Sequence, residues 1–247
     1  MRLALLTAVF LTGSAMTAQA ADCHDQTYLD NRYTVCTVDL TTEDLRLFLN
    51  DDEGQIWGQF RRLDNALGTQ GKRLGFAMNA GMYHPDRKPV GHYREGGVEQ
   101  MRVIPNAGPG NFGMLPNGVL CLNDGSAQVY ETLRYAEQKP ECRDATQSGP
   151  MLVIDGKLHP RFLKDSDSRY IRNGVGTSAD GKTAYFVISN NTVTFHEFAS
   201  LFRDELKTPN ALYFDGNISR LYAPELRRHD GGFPMGPIVG TVEPEND

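Results

Sequence analysis

An α+β domain with a mixed, largely antiparallel sheet core and a few packing helices is the fold class this sequence predicts. Two observations carry that reading. Short strand-like runs recur along the chain, and only two segments have helical periodicity, while the regular strand–helix alternation of a parallel α/β sheet is missing. No repeat of fixed period and no low-complexity segment occurs, which removes the usual support for solenoids and propellers. No linker-like stretch divides the 247 residues, so a single domain is expected over 21–247, after an N-terminal segment that reads as a leader.

The strand-like runs are Tyr33–Leu40, the alternating Leu45, Leu47 and Leu49, then Leu74–Met78, Val119–Leu122, Met151–Ile154, Thr183–Ser189 and Ala211–Phe214. Most are bounded by Gly, Asn, Asp or Pro, residues that favour turns. Ile56, Phe60, Leu63 and Leu67 fall on one helical face, as do Phe195, Phe198, Phe202 and Leu206. The second helix has a start signal, because Thr194 and Glu197 are spaced to satisfy each other's backbone donors in a capping box. Glu197 is therefore read as a cap and not as a catalyst. The acidic tail from Glu243 to Asp247 is expected to fray.

Residues 1–20 read as an export signal: Arg2 supplies the positive end, Leu3–Leu11 the apolar run and Ala18-Gln19-Ala20 the cleavage site. That run is too short for a membrane span, and no later stretch is long enough. Asp22 stands before Cys23, where lipid attachment would need a small neutral residue. A periplasmic or secreted protein follows as the expectation. Cys23, Cys36, Cys121 and Cys142 are an even set with no zinc-knuckle or redox spacing, so two disulfides are expected. Three pairings are open, and Cys23–Cys36 with Cys121–Cys142 closes the shortest loops. Lys and Arg number 25 against 31 Asp and Glu, a net charge of −6 that leaves no electrostatic footprint for nucleic acid.

Familiar catalytic signatures are scarce. Gly108-Pro109-Gly110-Asn111-Phe112-Gly113 has the spacing of a dinucleotide loop, but Pro116 and Asn117-Gly118 follow where a helix should open. A tight glycine loop whose backbone approaches another group is the better reading. There is no G-x-S-x-G elbow, and the six histidines show no zinc-ligand spacing. Four Gly/Asn-rich segments lie at strand ends instead: 79–84, 147–150, 172–176 and 215–219. Each alone is a turn. Together they would put amide, hydroxyl, guanidinium and carboxylate groups on the rim of what reads as one sheet, as a site for a polar, oxygen-rich ligand would.

Asn79-Ala80-Gly81-Met82-Tyr83, Ser148-Gly149-Pro150-Met151-Leu152-Val153 with Asp155-Gly156-Lys157, Arg172-Asn173-Gly174-Val175-Gly176, and Ala211-Leu212-Tyr213-Phe214-Asp215-Gly216 resemble the ordered signatures of the phosphodiester glycosidase family. The resemblance runs in order from about Leu74 to Val239 and is especially close to a bacterial subgroup that also shares His84 after Tyr83 and the motif Gly108-Pro109-Gly110-Asn111-Phe112; bacterial members are often labelled as exopolysaccharide-biosynthesis proteins. It departs from the eukaryotic pattern around Asn79, Arg172 and Asp215, keeping those three residues while their neighbours change, which bears on the substrate more than on the site. The resemblance implies a carbohydrate phosphodiester substrate, such as an N-acetylglucosamine-1-phosphodiester or an envelope glycan, cleaved at the anomeric bond. Asp215 is then the nucleophile or base and Arg172 the phosphate clamp. Asn79, with the backbone around Gly81 and Gly149, holds sugar hydroxyls or phosphate oxygens; His84, Asn111, Ser148, Asn173 and Gly174 are further binding candidates. Asp230 is the candidate for a second carboxylate. No cofactor is called for, although a divalent cation at Asp215 would suit these residue types. The alternative is a non-catalytic glycan-binding protein on the same scaffold.

Overall fold

The computed structural model describes residues 21–245, so the segment 1–20 that reads as an export signal lies outside the described residues. The chain begins with β1 (Asp22–Tyr28), β2 (Asn31–Asp39) and β3 (Asp44–Phe48), then α1 (Phe60–Gly68) and β4 (Lys72–Asn79). Next come β5 (Tyr93–Glu95), β6 (Val98–Met101), β7 (Gly118–Asn123), β8 (Ser126–Glu131), α2 (Thr132–Gln138) and β9 (Asp144–Ser148). The third stretch holds β10 (Met151–Ile154), β11 (Lys157–Leu158), β12 (Asn173–Thr177), β13 (Thr183–Ser189), α3 (Phe195–Ser200) and β14 (Asn210–Asp215). It closes with β15 (Leu221–Ala223), β16 (Arg228–His229) and β17 (Ile238–Pro244).

These strands form three sheets, ordered β1-β2-β13-β12-β14-β10-β11, β16-β15-β4-β17-β3 and β6-β5-β9-β7-β8. The pairings within them are antiparallel, and the α+β class holds. One core joins them: Val38 and Phe186 from the first sheet, Leu47 and Phe76 from the second, and Leu120 and Leu122 from the third pack into a single cluster. The alternation of Leu45 and Leu47 exists because one face of β3 meets that core.

Both expected helices form, with different bounds. Ile56 instead makes an isolated bridge with Asn50, and the positive φ of Gly58 (65°) turns the chain before α1 begins at Phe60. Phe60, Leu63 and Leu67 bury its apolar face against β4 and β17. The capping box of Thr194 and Glu197 opens α3, which widens into a π-helical turn over Leu201–Glu205 and so puts the consecutive Leu201 and Phe202 in the core. The helix α2 has no strong sequence signal; its N-cap is Glu131, whose side chain accepts from Arg134 N–H. The tail is more ordered than expected through Pro244, because Glu243 pairs across the ladder with Arg73 and meets its guanidinium at 2.8 Å.

Two disulfides, Cys23–Cys36 and Cys121–Cys142, close the short loops. Each contributes on the order of 3 kcal/mol by restricting the unfolded chain. The glycine loop at 108–113 is a tight turn and no helix start. Gly108 N–H donates to Gly113 O (3.2 Å), and a Cβ on Gly113 would lie 2.0 Å from the Gly108 carbonyl carbon.

Candidate active site at the meeting of three sheets

The strand ends singled out in the sequence meet at one corner, but they come from three sheets and not one. Asn79 ends β4 in the second sheet, Ser148 ends β9 in the third, and Asn173 and Asp215 face each other across β12 and β14 in the first. The β12–β14 register shifts here: Asn173 pairs with Asp215 and Gly174 with Tyr213, leaving Phe214 as the extra residue of a bulge. Ser148 Oγ takes up the bulged carbonyl, donating to Phe214 O at 3.0 Å. Gly174 is required there, because a Cβ would sit 2.5 Å from Leu212 O.

Below the corner, Asn79 and Asn173 are fully buried and locked together. Asn173 Nδ2 donates to Asn79 O (2.9 Å) and Oδ1 (3.1 Å), and Asn173 Oδ1 accepts from Asp215 N–H (3.2 Å) and Ser219 Oγ (3.2 Å). Asn79 Oδ1 accepts from Arg220 N–H at 2.9 Å. The two amides therefore hold both ends of the turn 215–220. Asp215 Oδ1 in turn accepts from the N–H groups of Gly216 (2.6 Å) and Asn217 (2.9 Å). Burial pushes the Asp215 carboxyl above its ordinary range, while the amides of Asn217, Gly216 and Ile218 pull the other way.

Above this framework opens a cavity of about 700 Å³, lined among others by Asn111, Arg172, Tyr213 and Asp215. Arg172 is 1% exposed and has no carboxylate within 4.0 Å among the described residues. Its guanidinium donates only to neutral oxygens: Val193 O (2.9 Å), Ser168 O (3.0 Å) and Tyr213 Oη (3.4 Å). The ring of Phe195 lies 3.7 Å from its Cζ, with Tyr170 and Tyr213 beyond 5 Å, at 5.4 and 5.5 Å. A cation held this way is stabilised by aromatic faces and carbonyl dipoles and keeps donor capacity for an anion. Gly216 makes room for the Tyr213 hydroxyl, which a Cβ there would meet at 2.2 Å.

The sequence-derived candidates thus divide. Arg172, Asp215 and Asn111 line the cavity. Asn79, Ser148, Asn173 and Gly174 lie behind its wall, holding Asp215 and the bulge. Gly81 and Gly149 are close-packing positions, where a Cβ would approach Thr146 Oγ1 at 3.1 Å and Asn117 Cβ at 2.5 Å. His84 is exposed at the tip of a turn and is not among the lining residues. Asp230 faces a different pocket and pairs with Arg228 at 2.9 Å, so Asp215 is the sole carboxylate lining the cavity among the described residues. Tyr83, Arg87, Tyr170 and Phe233 line it too. Tyr83 stands within a motif already singled out, whereas nothing in the sequence marked Arg87, Tyr170 or Phe233. No group of three or more His, Cys, Asp or Glu side chains converges among the described residues, so a divalent ion at Asp215 would find one carboxylate and otherwise neutral oxygens.

The phosphodiester glycosidase family profile matches residues 72–233, a span that holds Asn79, Arg172 and Asp215. The chain belongs to the phosphodiester glycosidase family. Among curated proteins, this family member is 32% identical over 216 residues to the uncharacterised protein YigE of Escherichia coli (strain K12), covering 87% of this chain and 84% of that one. Its fold is shared by the catalytic domain of zebrafish N-acetylglucosamine-1-phosphodiester alpha-N-acetylglucosaminidase, auto-inhibited by its pro-peptide, with a TM-score of 0.60 at 11% identity over 93% of this chain and 85% of that one. A hypothetical protein from Synechocystis aligns with a TM-score of 0.58 at 12% identity over 89% of this chain, which spans 61% of that structure's length.

Proposed function

We propose that the protein is an exported hydrolase that cleaves the anomeric bond of a sugar-1-phosphodiester, with an N-acetylglucosamine-1-phosphodiester or a related envelope glycan as substrate. The observation that carries this reading is Arg172, a buried cation without a carboxylate partner on the wall of the same cavity as Asp215. Burying an unpaired charge costs several kcal/mol, a cost that an anionic ligand offsets. Family membership and the zebrafish catalytic domain's fold support the chemistry, and the two disulfides support an oxidising compartment reached through the leader at 1–20.

In this mechanism Arg172 holds the phosphodiester and stabilises the charge that grows on it as the bond breaks. A phosphate monoester leaves without full protonation, so no second carboxylate is required for a general acid. Asp215 attacks the anomeric carbon or activates the water that does, and must be ionised for either role. Asn173 and Asn79 act as positioning residues, fixing the Asp215 main chain from below.

The test is release of N-acetylglucosamine from UDP-N-acetylglucosamine, with and without chelator. Turnover by the wild type and a loss of about 10³-fold in a folded Asp215→Asn variant are expected. A folded Asp215→Asn variant with full activity overturns the assignment. The lone carboxylate of the cavity favours one competing reading, a glycan-binding protein without turnover, for which the same assay returns saturable binding and no product.

A further inference from the structure

The cavity carries a second cation that the proposed chemistry does not use. Arg87 lines it from the tip of the turn at 82–90, where His84 N–H donates to Lys88 O (2.8 Å) and Arg87 N–H to His84 O (2.8 Å). Arg87 has a positive φ (71°), and its Cζ lies 5.4 Å from the Tyr83 ring centroid. Asp86, the acid of this turn, is 3.4 Å from Lys88 Nζ, and Arg87 has no ion pair or side-chain hydrogen bond among the described residues. A non-glycine residue in left-handed backbone is uncommon, and here it brings a guanidinium over an aromatic ring at the cavity wall.

The wall around Arg87 is held firmly. Tyr83 packs so closely on Gly236 that a Cβ there would lie 2.6 Å from Tyr83 Cβ. The adjoining loop is pinned through its carbonyls, Gly232 O by Gln59 Nε2 (2.8 Å) and Phe233 O by Arg220 Nη1, while the Phe233 ring stays 76% exposed on the cavity. Asp215 lies within electrostatic reach of both tyrosines. After burial, the main cause in each case, its carboxylate pushes up the hydroxyls of Tyr83 and Tyr213 alike; Arg87 opposes it at Tyr83 and Arg172 opposes it at Tyr213. The two unpaired arginines thus line one cavity at different places, Arg172 by Tyr213 and Arg87 by Tyr83.

We propose that this site takes a dianionic substrate, with one negative group held by Arg172 and a second held by Arg87 as a specificity-determining residue. The two guanidiniums stand on different elements of the cavity wall, so a second negative group on the ligand gives the second one a partner. The second charge has two sources with the same chemistry at the guanidinium: a carboxylate on the sugar, as in a uronic acid, or a second phosphoryl group on the leaving half. The inference rests on the phosphodiester reading for what Arg172 holds, and its test does not depend on turnover.

Calorimetric titration of the protein with three probes separates the sources: the P-methyl diester of N-acetylglucosamine 1-phosphate, with one charge, the same diester of N-acetylglucosaminuronic acid 1-phosphate, with a second charge on the sugar, and UDP-N-acetylglucosamine, with a second charge on the leaving half. At least one doubly charged probe is expected to bind about tenfold tighter than the singly charged one. Arg87→Gln should bring that ratio to about one, and Lys88→Gln, a neighbouring exposed cation, should leave it in place. Arg87→Gln keeps the main-chain bond of the turn, so folding is preserved. Equal affinity for all three probes, no binding of any probe, or a preference that survives Arg87→Gln overturns the proposal. An Arg87-dependent preference without sugar release upholds it and removes the hydrolase reading alone; sugar release without that preference does the reverse.

Discussion

Arg172 and Arg143 each stand immediately before a strand, β12 and β9, and each is followed by a buried polar residue, yet their surroundings differ in kind. Arg143, whose side chain is 28% exposed, meets the carboxylates of Asp144 and Asp124 and donates to Leu45 O. Its charge is spent on structure: it ties the third sheet to β3 beside the Cys121–Cys142 disulfide. Arg172 is more deeply buried and has carbonyls, a phenol and ring faces in place of any carboxylate. A buried ion pair satisfies itself, whereas a buried lone cation beside a cavity is a site waiting for an anion.

The largest effects should come from exchanging the two arginines for an uncharged residue of similar length. Arg172→Met is expected to cut sugar release by about 10²- to 10³-fold, as the loss of a charge-stabilising donor does, while stability changes by only about 1 kcal/mol because the variant also removes an unpaired buried charge. Arg143→Met should do the opposite. It leaves Asp144 unpaired in the protein interior, with an expected loss of about 3 kcal/mol in chemical denaturation and unchanged turnover per folded molecule. Equal losses of stability in both variants would erase the contrast.

Next in size is the framework below the cavity. Asn173→Ala strands Asn79 Nδ2 and the Asp215 N–H, and should cost about 2 kcal/mol in stability and about tenfold or more in kcat, with KM little changed. A loss of stability at full kcat would confine Asn173 to the fold. The smallest effect belongs to the third sheet again. Burial pushes Glu95 up to about 7 from an ordinary value of 4.5, although it accepts from Tyr93 Oη and Leu49 N–H. Between those values the folded protein keeps a proton that the unfolded chain has released, so stability is full below the lower value and falls as pH rises through the upper. Glu95→Gln should therefore raise the midpoint temperature by a few degrees at about pH 8 and leave it unchanged at about pH 4.5. A pH-independent shift would assign the effect to packing and not to charge.

Much of the architecture was legible along the chain because its cause is local. The alternation in β3, the β-rich runs of β2 and β13 and the capping box at Thr194 are periodicities and short-range bonds that a sequence records directly. The early start expected for α1 failed where Gly58 turns the backbone, and α2 went unmarked because a glutamate N-cap is a weak signal. Arg172, Asn111 and Asp215 were legible as members of ordered motifs, but the same motifs also named Asn79, Ser148 and Asn173, which stand behind the cavity wall.

By itself the sequence determined the fold class, the pool of four cysteines, the strands whose faces had to be buried and the residue types gathered at their ends. Periodicity and composition reach that far because they act within a few residues. Only the tertiary structure decided that those ends come from three sheets, that a bulge at Phe214 sets the direction of Asp215, and that Arg172 is buried without a carboxylate while Arg143 has two. It also placed Arg87 and Phe233, far apart along the chain, on the same cavity. Which charge pairs with which, and which is left over, depends on contacts between segments far apart along the chain, and no local pattern encodes them.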